Sequence, residues 1–190
     1  MRESFAGLKL ALLVVLGCWA NMASVSVCAE ESARSEYEVK AGIIYNVAKF
    51  VSWPQLTQPE AALHQEPQPS VNFCILGDDP FGSLMDALGE RRLKGRNINI
   101  KRLPDLPEKI ACDVLYISGS EESRLKFILQ KLGNNPVLSI SDIHGFAKKG
   151  GGIELMQSGK RVQFNINNSA VKSAGLRMSA KLLELAKIVY

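Results

Sequence analysis

The sequence predicts an α/β fold, a single-domain sandwich of about six strands with about five flanking helices. Short apolar runs alternate with amphipathic helical stretches through the first two thirds of the chain, and glycine or proline marks most of the boundaries. The last third instead predicts a C-terminal β-hairpin followed by two short helices. Strands separated by helices are typical of a parallel sheet covered by helices, to which a hairpin adds an antiparallel part.

The first predicted helix covers residues 36–52, where apolar side chains recur every three or four positions. It ends at Trp53-Pro54, because a residue that precedes proline is pushed out of the α region. The proline-rich stretch 55–70 predicts a loop. Residues 71–76 are almost wholly apolar and predict the first buried strand.

The segment after this strand predicts a tight connection into a helix. Asp79 is suited to cap a helix whose first residue is Pro80, where the missing N–H costs nothing, and Gly89 ends it. Loops of this kind also bind small molecules in α/β proteins. Because Asp78 and Asp79 would repel a phosphate, capping explains them better. A strand follows at 97–103, where isoleucines alternate with polar residues.

The remaining elements continue the alternation. Their predicted ranges are a strand at 114–117, a helix at 120–133, a strand at 137–140, hairpin strands at 153–156 and 162–166, and helices at 168–174 and 179–188. Ser120 opens its helix with Glu121 and Glu122 in the first turn, where the positive end of the helix dipole favours them.

A secretory signal peptide is predicted over residues 1–29. Its apolar core, 8–16, is too short for a membrane span, which needs about 20 apolar residues. Small residues precede a cleavage site between Ala29 and Glu30, so the protein is expected to work outside the cytoplasm. The alternative is a bacterial lipoprotein with a lipidated Cys18, because the residues before that cysteine loosely resemble a lipoprotein box.

Removal of the signal peptide leaves a domain at 30–190 with two cysteines, Cys74 and Cys112. An even count in an oxidising compartment makes a disulfide between them the default expectation. The alternative is two buried free thiols, since both cysteines lie beside apolar strand-like runs. The sequence holds no CxxC motif, which argues against a thiol oxidoreductase.

The sequence is poor in groups that carry catalysis, so we expect no enzyme and neither a metal site nor a cofactor. His64 lies in the proline-rich loop and His144 in a predicted turn, and neither has metal-ligand spacing. No GxSxG elbow supports a serine nucleophile. Gly150-Gly151-Gly152 could form a backbone anion nest, but a close turn into the hairpin is the simpler interpretation.

Charge points to one candidate contact residue. The net charge of +4 is too mild, and the basic residues are too scattered, to predict nucleic-acid binding. Arg177 lies in the link between the last two helices, and we predict that it contacts a partner or a ligand. A solvated arginine is the alternative.

Several segments, in this order and at this spacing, together match a known family. They are 45–54, 73–81, 112–118, 141–142, 145–147, 151–153, 162–167, 174–177 and 182–186. On these motifs the chain resembles the YfiR family of periplasmic bacterial proteins over residues 36–187.

The resemblance implies a function that the motifs alone do not show. YfiR proteins are periplasmic repressors of an inner-membrane diguanylate cyclase and act on its periplasmic sensor part. Release of the cyclase raises cyclic-di-GMP and promotes biofilm formation. An outer-membrane lipoprotein with a peptidoglycan-binding domain can sequester the repressor. The family fold is α/β, and members tend to be dimeric.

One departure from the family concerns its disulfides. Some members carry a second disulfide in the glycine-rich segment before the hairpin. With Gly150 as the anchor of the match, those positions are Ala147 and Glu154 in this chain. We therefore expect the Cys74–Cys112 bridge alone.

A second function remains open at this point. The chain would then be a periplasmic small-ligand-binding module that serves a sensor kinase or an uptake receptor. A shift in melting temperature on adding ligand, without an effect on a cyclase, would favour that alternative.

Overall fold

The computed structural model of the protein describes residues 23–54, 69–159 and 161–190, with side chains from Glu36 onward. The chain divides into two units, Met1–Glu36 and Tyr37–Tyr190. Of the first unit the structure describes only helical backbone. Most of the predicted signal peptide, including Cys18, lies outside the described residues, so cleavage or lipidation there stays a prediction.

The described residues form five α-helices and ten strands. The helices are α1 (Ala23–Lys49), α2 (Ser83–Gly89), α3 (Leu125–Leu132), α4 (Asn168–Ser173) and α5 (Ala180–Leu185), and a 3₁₀ helix over Gly119–Arg124 precedes α3. The strands are β1 (Val51–Ser52), β2 (Val71–Leu76), β3 (Arg92–Leu93), β4 (Arg96–Leu103), β5 (Val114–Ile117), β6 (Leu138–Ser141), β7 (Ile153–Ser158), β8 (Arg161–Ile166), β9 (Arg177–Met178) and β10 (Ile188–Val189).

Eight strands form one mixed sheet in the order β10-β8-β7-β6-β5-β2-β4-β3. The five central strands are parallel, β8 and β3 run antiparallel to their inner neighbours, and β10 pairs parallel with β8. Along the chain, β2 is followed by β4 on one side, and then by β5, β6 and β7 on the other. This reversal makes a topological switch point between β2 and β5. The predicted α/β fold with a C-terminal hairpin is confirmed.

Side chains on the central strands alternate between two hydrophobic cores, because successive residues of a strand face opposite sides of the sheet. Phe73 and Tyr116 belong to the larger core, which α1, α2, α4 and α5 cover. Cys74 and Leu115 belong to the smaller core, which α3 covers. Strands β5 and β6 are buried along their whole length, as expected for parallel strands with helices on both faces.

The predicted helix at 36–52 is wrong at both ends. Helix α1 covers Ala23–Lys49, and Val51–Ser52 form strand β1 instead. Strand β1 pairs antiparallel with β9 and brings Ser52 opposite Arg177. This pairing joins distant parts of the chain, so the local helical pattern could not reveal it.

The sequence predicts Pro80 as the first residue of a helix, and this prediction is wrong. The Asp79 carboxylate accepts hydrogen bonds from the backbone N–H groups of Phe81 (2.8 Å) and Gly82 (3.2 Å), so it closes a turn that precedes the helix. Gly82 has a φ of +52°, and α2 starts at the next residue. Asp79 is therefore a capping residue of the turn rather than of the helix.

Two other predicted helices are shorter than expected. The first turn of the helix predicted at 120–133 is 3₁₀, and α3 begins only at Leu125. The helix predicted at 179–188 ends at Leu185, because Ile188 and Val189 pair with β8. All six predicted strands are present, as β2 and β4–β8, and the four unpredicted strands have two residues each.

Candidate functional site

The switch point between β2 and β5 is where doubly wound proteins usually bind ligands, and here the chain itself fills it. The loops that follow the two strands touch: the Ser120 hydroxyl accepts a hydrogen bond from the backbone N–H of Asp78 at 3.0 Å. Gly77 has a φ of +83°, and a Cβ at this position would collide with Ser120 Oγ and the Glu121 side chain. The loops after β2 and β5 are therefore packed against each other at this point.

The carboxylate of Glu121, which is buried at this end of the sheet, forms an ion pair with Arg124. Glu121 Oε2 accepts hydrogen bonds from Arg124 Nη2 at 2.7 Å and Arg124 Nε at 3.0 Å. Arg124 also donates to Asp105 at 2.8 Å, and its hydrogen bonds to Asp105 and Glu121 raise the pKa of its guanidinium. A carboxylate held in this way positions a loop and is poorly placed to transfer a proton.

A second ion pair fixes α1 across the carboxyl ends of the strands. Asp142 follows β6, and its Oδ2 accepts hydrogen bonds from Lys40 Nζ at 2.6 Å and from the Tyr37 hydroxyl at 3.2 Å. The Tyr37 ring packs edge-on against Phe81 at 5.4 Å, and Phe81 packs edge-on against Tyr116 at 4.7 Å. Lys40 is buried, so removing either charge of the pair would leave the other in an apolar setting.

The glycine run does not form an anion nest. The Gly151 N–H donates to the carbonyl of Phe146 at 2.9 Å, and the Gly152 N–H donates to Ser139 Oγ at 2.9 Å. A Cβ at Gly151 would collide with the Phe146 ring, so glycine is required by close packing. The close-turn interpretation fits these contacts.

The one histidine among the described residues belongs to no group that could hold a metal ion. His144 is exposed in a turn, and His64 lies outside the described residues. Within the described part of the chain, no three His, Cys, Asp or Glu side chains are grouped so that they could hold a metal ion.

The predicted disulfide is confirmed. Cys74 on β2 and Cys112 before β5 are bonded, with their Cα atoms 5.9 Å apart. Both sulfur atoms lie in the smaller core, so the bridge fastens two adjacent parallel strands from inside. The Asp113 carboxylate adds a hydrogen bond from the backbone N–H of Asn72 at 2.7 Å next to the bridge.

The positions of the second family disulfide are adjacent in space but are joined differently. The buried Glu154 carboxylate accepts hydrogen bonds from the backbone N–H groups of Gly145 at 2.8 Å and Ala147 at 3.3 Å. Asn167 Nδ2 donates to the Ala147 carbonyl at 2.8 Å. Polar contacts thus hold the loop at 143–150 to the hairpin.

The free edge of the sheet exposes apolar side chains. Leu185 is 63% exposed, and Ile188, Val189 and Tyr190 along the edge strand β10 are 43%, 44% and 37% exposed. We call these four residues and Arg177 the edge-strand surface. Large apolar side chains grouped at an open sheet edge are typical of a protein–protein contact.

Arg177 lies on β9 and lines a cleft of about 560 Å³ next to this edge. The cleft is lined by Asn168, Lys172, Gly175, Leu176, Arg177, Met178 and Leu183. It contains two cations and no carboxylate among these residues. The backbone N–H of Asn168 donates to the carbonyl of Tyr190 at 3.0 Å, which connects the cleft to the edge strand. Arg177 itself pairs with Ser52 on β1, and its contact with a partner or a ligand stays a prediction.

The sequence predicts a contact role for Arg177, but the apolar part of this surface has only a weak signal in it. Residues 179–188 carry a helical pattern, and a two-residue edge strand gives no periodic signal of its own. The signal that could have indicated strand β10 is the run Ile188-Val189-Tyr190, which follows the helix and consists of residues that favour strands.

No helix in the described residues is both long and apolar enough to cross a membrane. The sequence model of the YfiR/HmsC-like family matches residues 37–187, nearly the whole of the second unit. This range agrees with the resemblance that the motifs had indicated over 36–187. The chain therefore belongs to the YfiR/HmsC-like family, whose members are periplasmic-type regulators of diguanylate cyclase signalling rather than enzymes.

Proposed function

We propose that the protein is a periplasmic negative regulator that binds the periplasmic sensor part of an inner-membrane diguanylate cyclase. By doing so it represses cyclic-di-GMP synthesis and restrains biofilm formation. The chain belongs to the YfiR/HmsC-like family, and the observation that supports the proposal is the exposure of apolar side chains on the edge-strand surface. It presents four exposed apolar side chains and Arg177, whereas the usual ligand crevice is filled by Ser120 and Glu121.

The edge strand offers a simple mode of recognition. Among the described residues, strand β10 pairs with β8 alone, so its other side can accept a strand of the partner by sheet extension. Ile188, Val189 and Tyr190 would bury apolar area in such a contact, and Arg177 would lie at its rim. Repression follows if the protein binds the inactive conformation of the sensor more tightly than the active one.

Two further partners belong to the same proposal. An outer-membrane peptidoglycan-binding lipoprotein would relieve repression by sequestering the protein, which requires that its binding compete with binding of the sensor. A homodimer is the expected assembly, as in other family members. The Cys74–Cys112 bridge would keep the repressor folded in the oxidising periplasm.

The proposal is tested by capture of partners from crosslinked cells and by cellular cyclic-di-GMP. The variant Ile188→Asp places a charge in the edge-strand surface. Its matched control is Phe127→Asp, because Phe127 is similarly exposed (60%) but lies on α3, which covers the opposite face of the sheet. We expect the wild type and the control to recover a membrane protein with a cyclase domain, and Ile188→Asp to lose it and to raise cyclic-di-GMP.

Two results would contradict the proposal. One is unchanged cyclic-di-GMP in a deletion strain that normally expresses the protein. The other is recovery of a sensor kinase or transporter in place of a cyclase. The second result would favour the small-ligand-binding module, which the cleft beside Arg177 could serve because it holds two cations and has a volume of about 560 Å³.

A further inference from the structure

A cluster of cations surrounds one tyrosine ring at the far end of the sheet from β10. Tyr45 lies on α1, and its hydroxyl donates to the backbone carbonyl of Arg92 on the other edge strand, β3, at 3.0 Å. Lys49 Nζ lies 4.1 Å from the centre of the ring and Arg91 Cζ lies 5.4 Å from it. We call Lys49, Arg91 and Arg92 the basic patch.

The three cations of the basic patch are exposed. None of the three makes an ion pair with a carboxylate in the described part of the chain, whereas Arg102 and Arg124 each bind two carboxylates. Glu90 is the acidic neighbour in sequence, and it too forms no ion pair there. Like charges gathered without partners repel one another, and a bound anion would relieve that repulsion.

The surroundings of the patch favour phosphate groups over a protein partner. Leu93 and Trp53 are buried, and the Tyr45 ring is flanked by cations, so the patch offers no apolar centre of the kind that protein interfaces have. The planar guanidinium groups of two adjacent arginines match phosphate oxygens in geometry. Tyr45 has an exposed hydroxyl and a ring that packs against the larger core, which is an arrangement suited to the headgroup region of a bilayer.

We propose that the basic patch docks the protein on anionic phospholipid headgroups. This contact goes beyond the proposed function, since it needs no protein partner. Strand β3, which carries Arg92, and strand β10 lie at opposite ends of the eight-stranded sheet, so the lipid contact does not use the β10 edge. Attachment to a membrane surface would raise the local concentration of the protein beside a membrane-bound target.

The experiment is cosedimentation of the protein, purified from the periplasm, with vesicles. One set contains phosphatidylglycerol in phosphatidylcholine, and the other contains phosphatidylcholine alone. We expect binding to the first set only, and weaker binding as salt is added. The variant Lys49→Gln/Arg91→Gln/Arg92→Gln should bind less tightly by about fivefold for each charge removed.

The control variant removes the same net charge elsewhere. Lys109→Gln/Lys126→Gln/Lys148→Gln changes three exposed lysines outside the patch and should keep most of the binding. Unchanged thermal melting of both variants shows that folding is intact. If the two variants lose vesicle binding equally, binding depends only on the net charge of the protein, and the proposal is overturned.

Two other results would also overturn it. Release from vesicles by inorganic phosphate, at an ionic strength where chloride leaves binding intact, would mean that the patch takes free phosphate. Absence of vesicle binding, combined with loss of a crosslinked protein in the patch variant alone, would mean that it meets an acidic protein surface.

Discussion

The Glu154 carboxylate accepts a hydrogen bond from the backbone N–H of Ala147 at 3.3 Å. Its other oxygen accepts from Gly145 at 2.8 Å. The loop at 143–150 is therefore held to β7 by a buried carboxylate rather than by a covalent bond. It follows that reduction acts on this protein through the Cys74–Cys112 bridge alone, within the described residues.

Replacing Glu154 by alanine should destabilise the protein by about 3 kcal/mol, because one buried and one partly buried N–H group would lose their acceptor. Glu154→Gln keeps one acceptor oxygen and should cost roughly half as much. Urea unfolding measures both values. Glu184→Ala, at an exposed position on α5, is the control and should stay within about 0.5 kcal/mol of the wild type. A Glu154→Ala protein as stable as the control would show that the loop does not depend on these bonds.

The filled switch point predicts a specific sensitivity at Gly77. Gly77→Ala combines a φ of +83° with a collision against Ser120 and Glu121, whereas Gly95→Ala has a similar φ of +81° and open space around the new methyl group. We expect a cost of about 1 kcal/mol for Gly95→Ala and at least twice that for Gly77→Ala. The difference in unfolding free energy between Gly77→Ala and Gly95→Ala measures how much the close approach of the loops after β2 and β5 contributes. Equal losses would mean that backbone conformation alone requires glycine at Gly77.

Loss of the disulfide should destabilise the protein strongly. The bridge joins residues separated by 38 positions, for which the chain-entropy relation gives about 4 kcal/mol. Cys74→Ala/Cys112→Ala tests this without placing hydroxyls in the smaller core. The unfolding free energy of the wild type under reducing conditions should fall by a similar amount, while the double variant should be insensitive to reductant. A double variant with wild-type stability would show that packing, not the bridge, holds β2 to β5.

The parts of the fold that the sequence predicted are those with a local signal. The apolar run at 71–76 and the alternation at 97–103 appear as strands, because burial on one or both faces leaves a pattern in the residues. Strand β1 has no such pattern. It exists because Ser52 pairs with Arg177, and a contact between distant residues leaves no mark on neighbours in sequence.

The candidate site divides in the same way. Arg177 is an isolated charge in a predicted link, but its pairing with Ser52 on β1 and its place in the cleft depend on contacts between distant parts of the chain. Glu121 was interpreted as a dipole partner in a first turn. The structure shows that Glu121 is buried in a 3₁₀ segment and forms an ion pair with the exposed Arg124.

Lys94 should make stability depend on alkaline pH. Burial lowers the pKa of Lys94 below its ordinary value of 10.5, and its Nζ donates to the carbonyl of Val51 at 2.5 Å. Between the folded pKa and 10.5 the unfolded chain binds more protons, so this group makes stability rise with pH in that window. The free energy of unfolding of the wild type should therefore rise relative to Lys94→Met as pH increases through it. Lys109→Met, at an exposed lysine, is the control; parallel curves for all three proteins would refute the prediction.

Arg177 should contribute to partner binding without contributing to stability. It is exposed, and it makes no ion pair in the part of the chain that the structure describes, so Arg177→Glu should leave the unfolding free energy within about 0.5 kcal/mol of the wild type. At the rim of the edge-strand surface, reversal of its charge should reduce capture of the cyclase partner roughly tenfold, mainly through slower association. Lys181→Glu makes the same charge change on α5 outside the cleft and should have a smaller effect. If both reversals weaken capture equally, the partner senses the overall charge of this face, and the cleft beside Arg177 has no specific role.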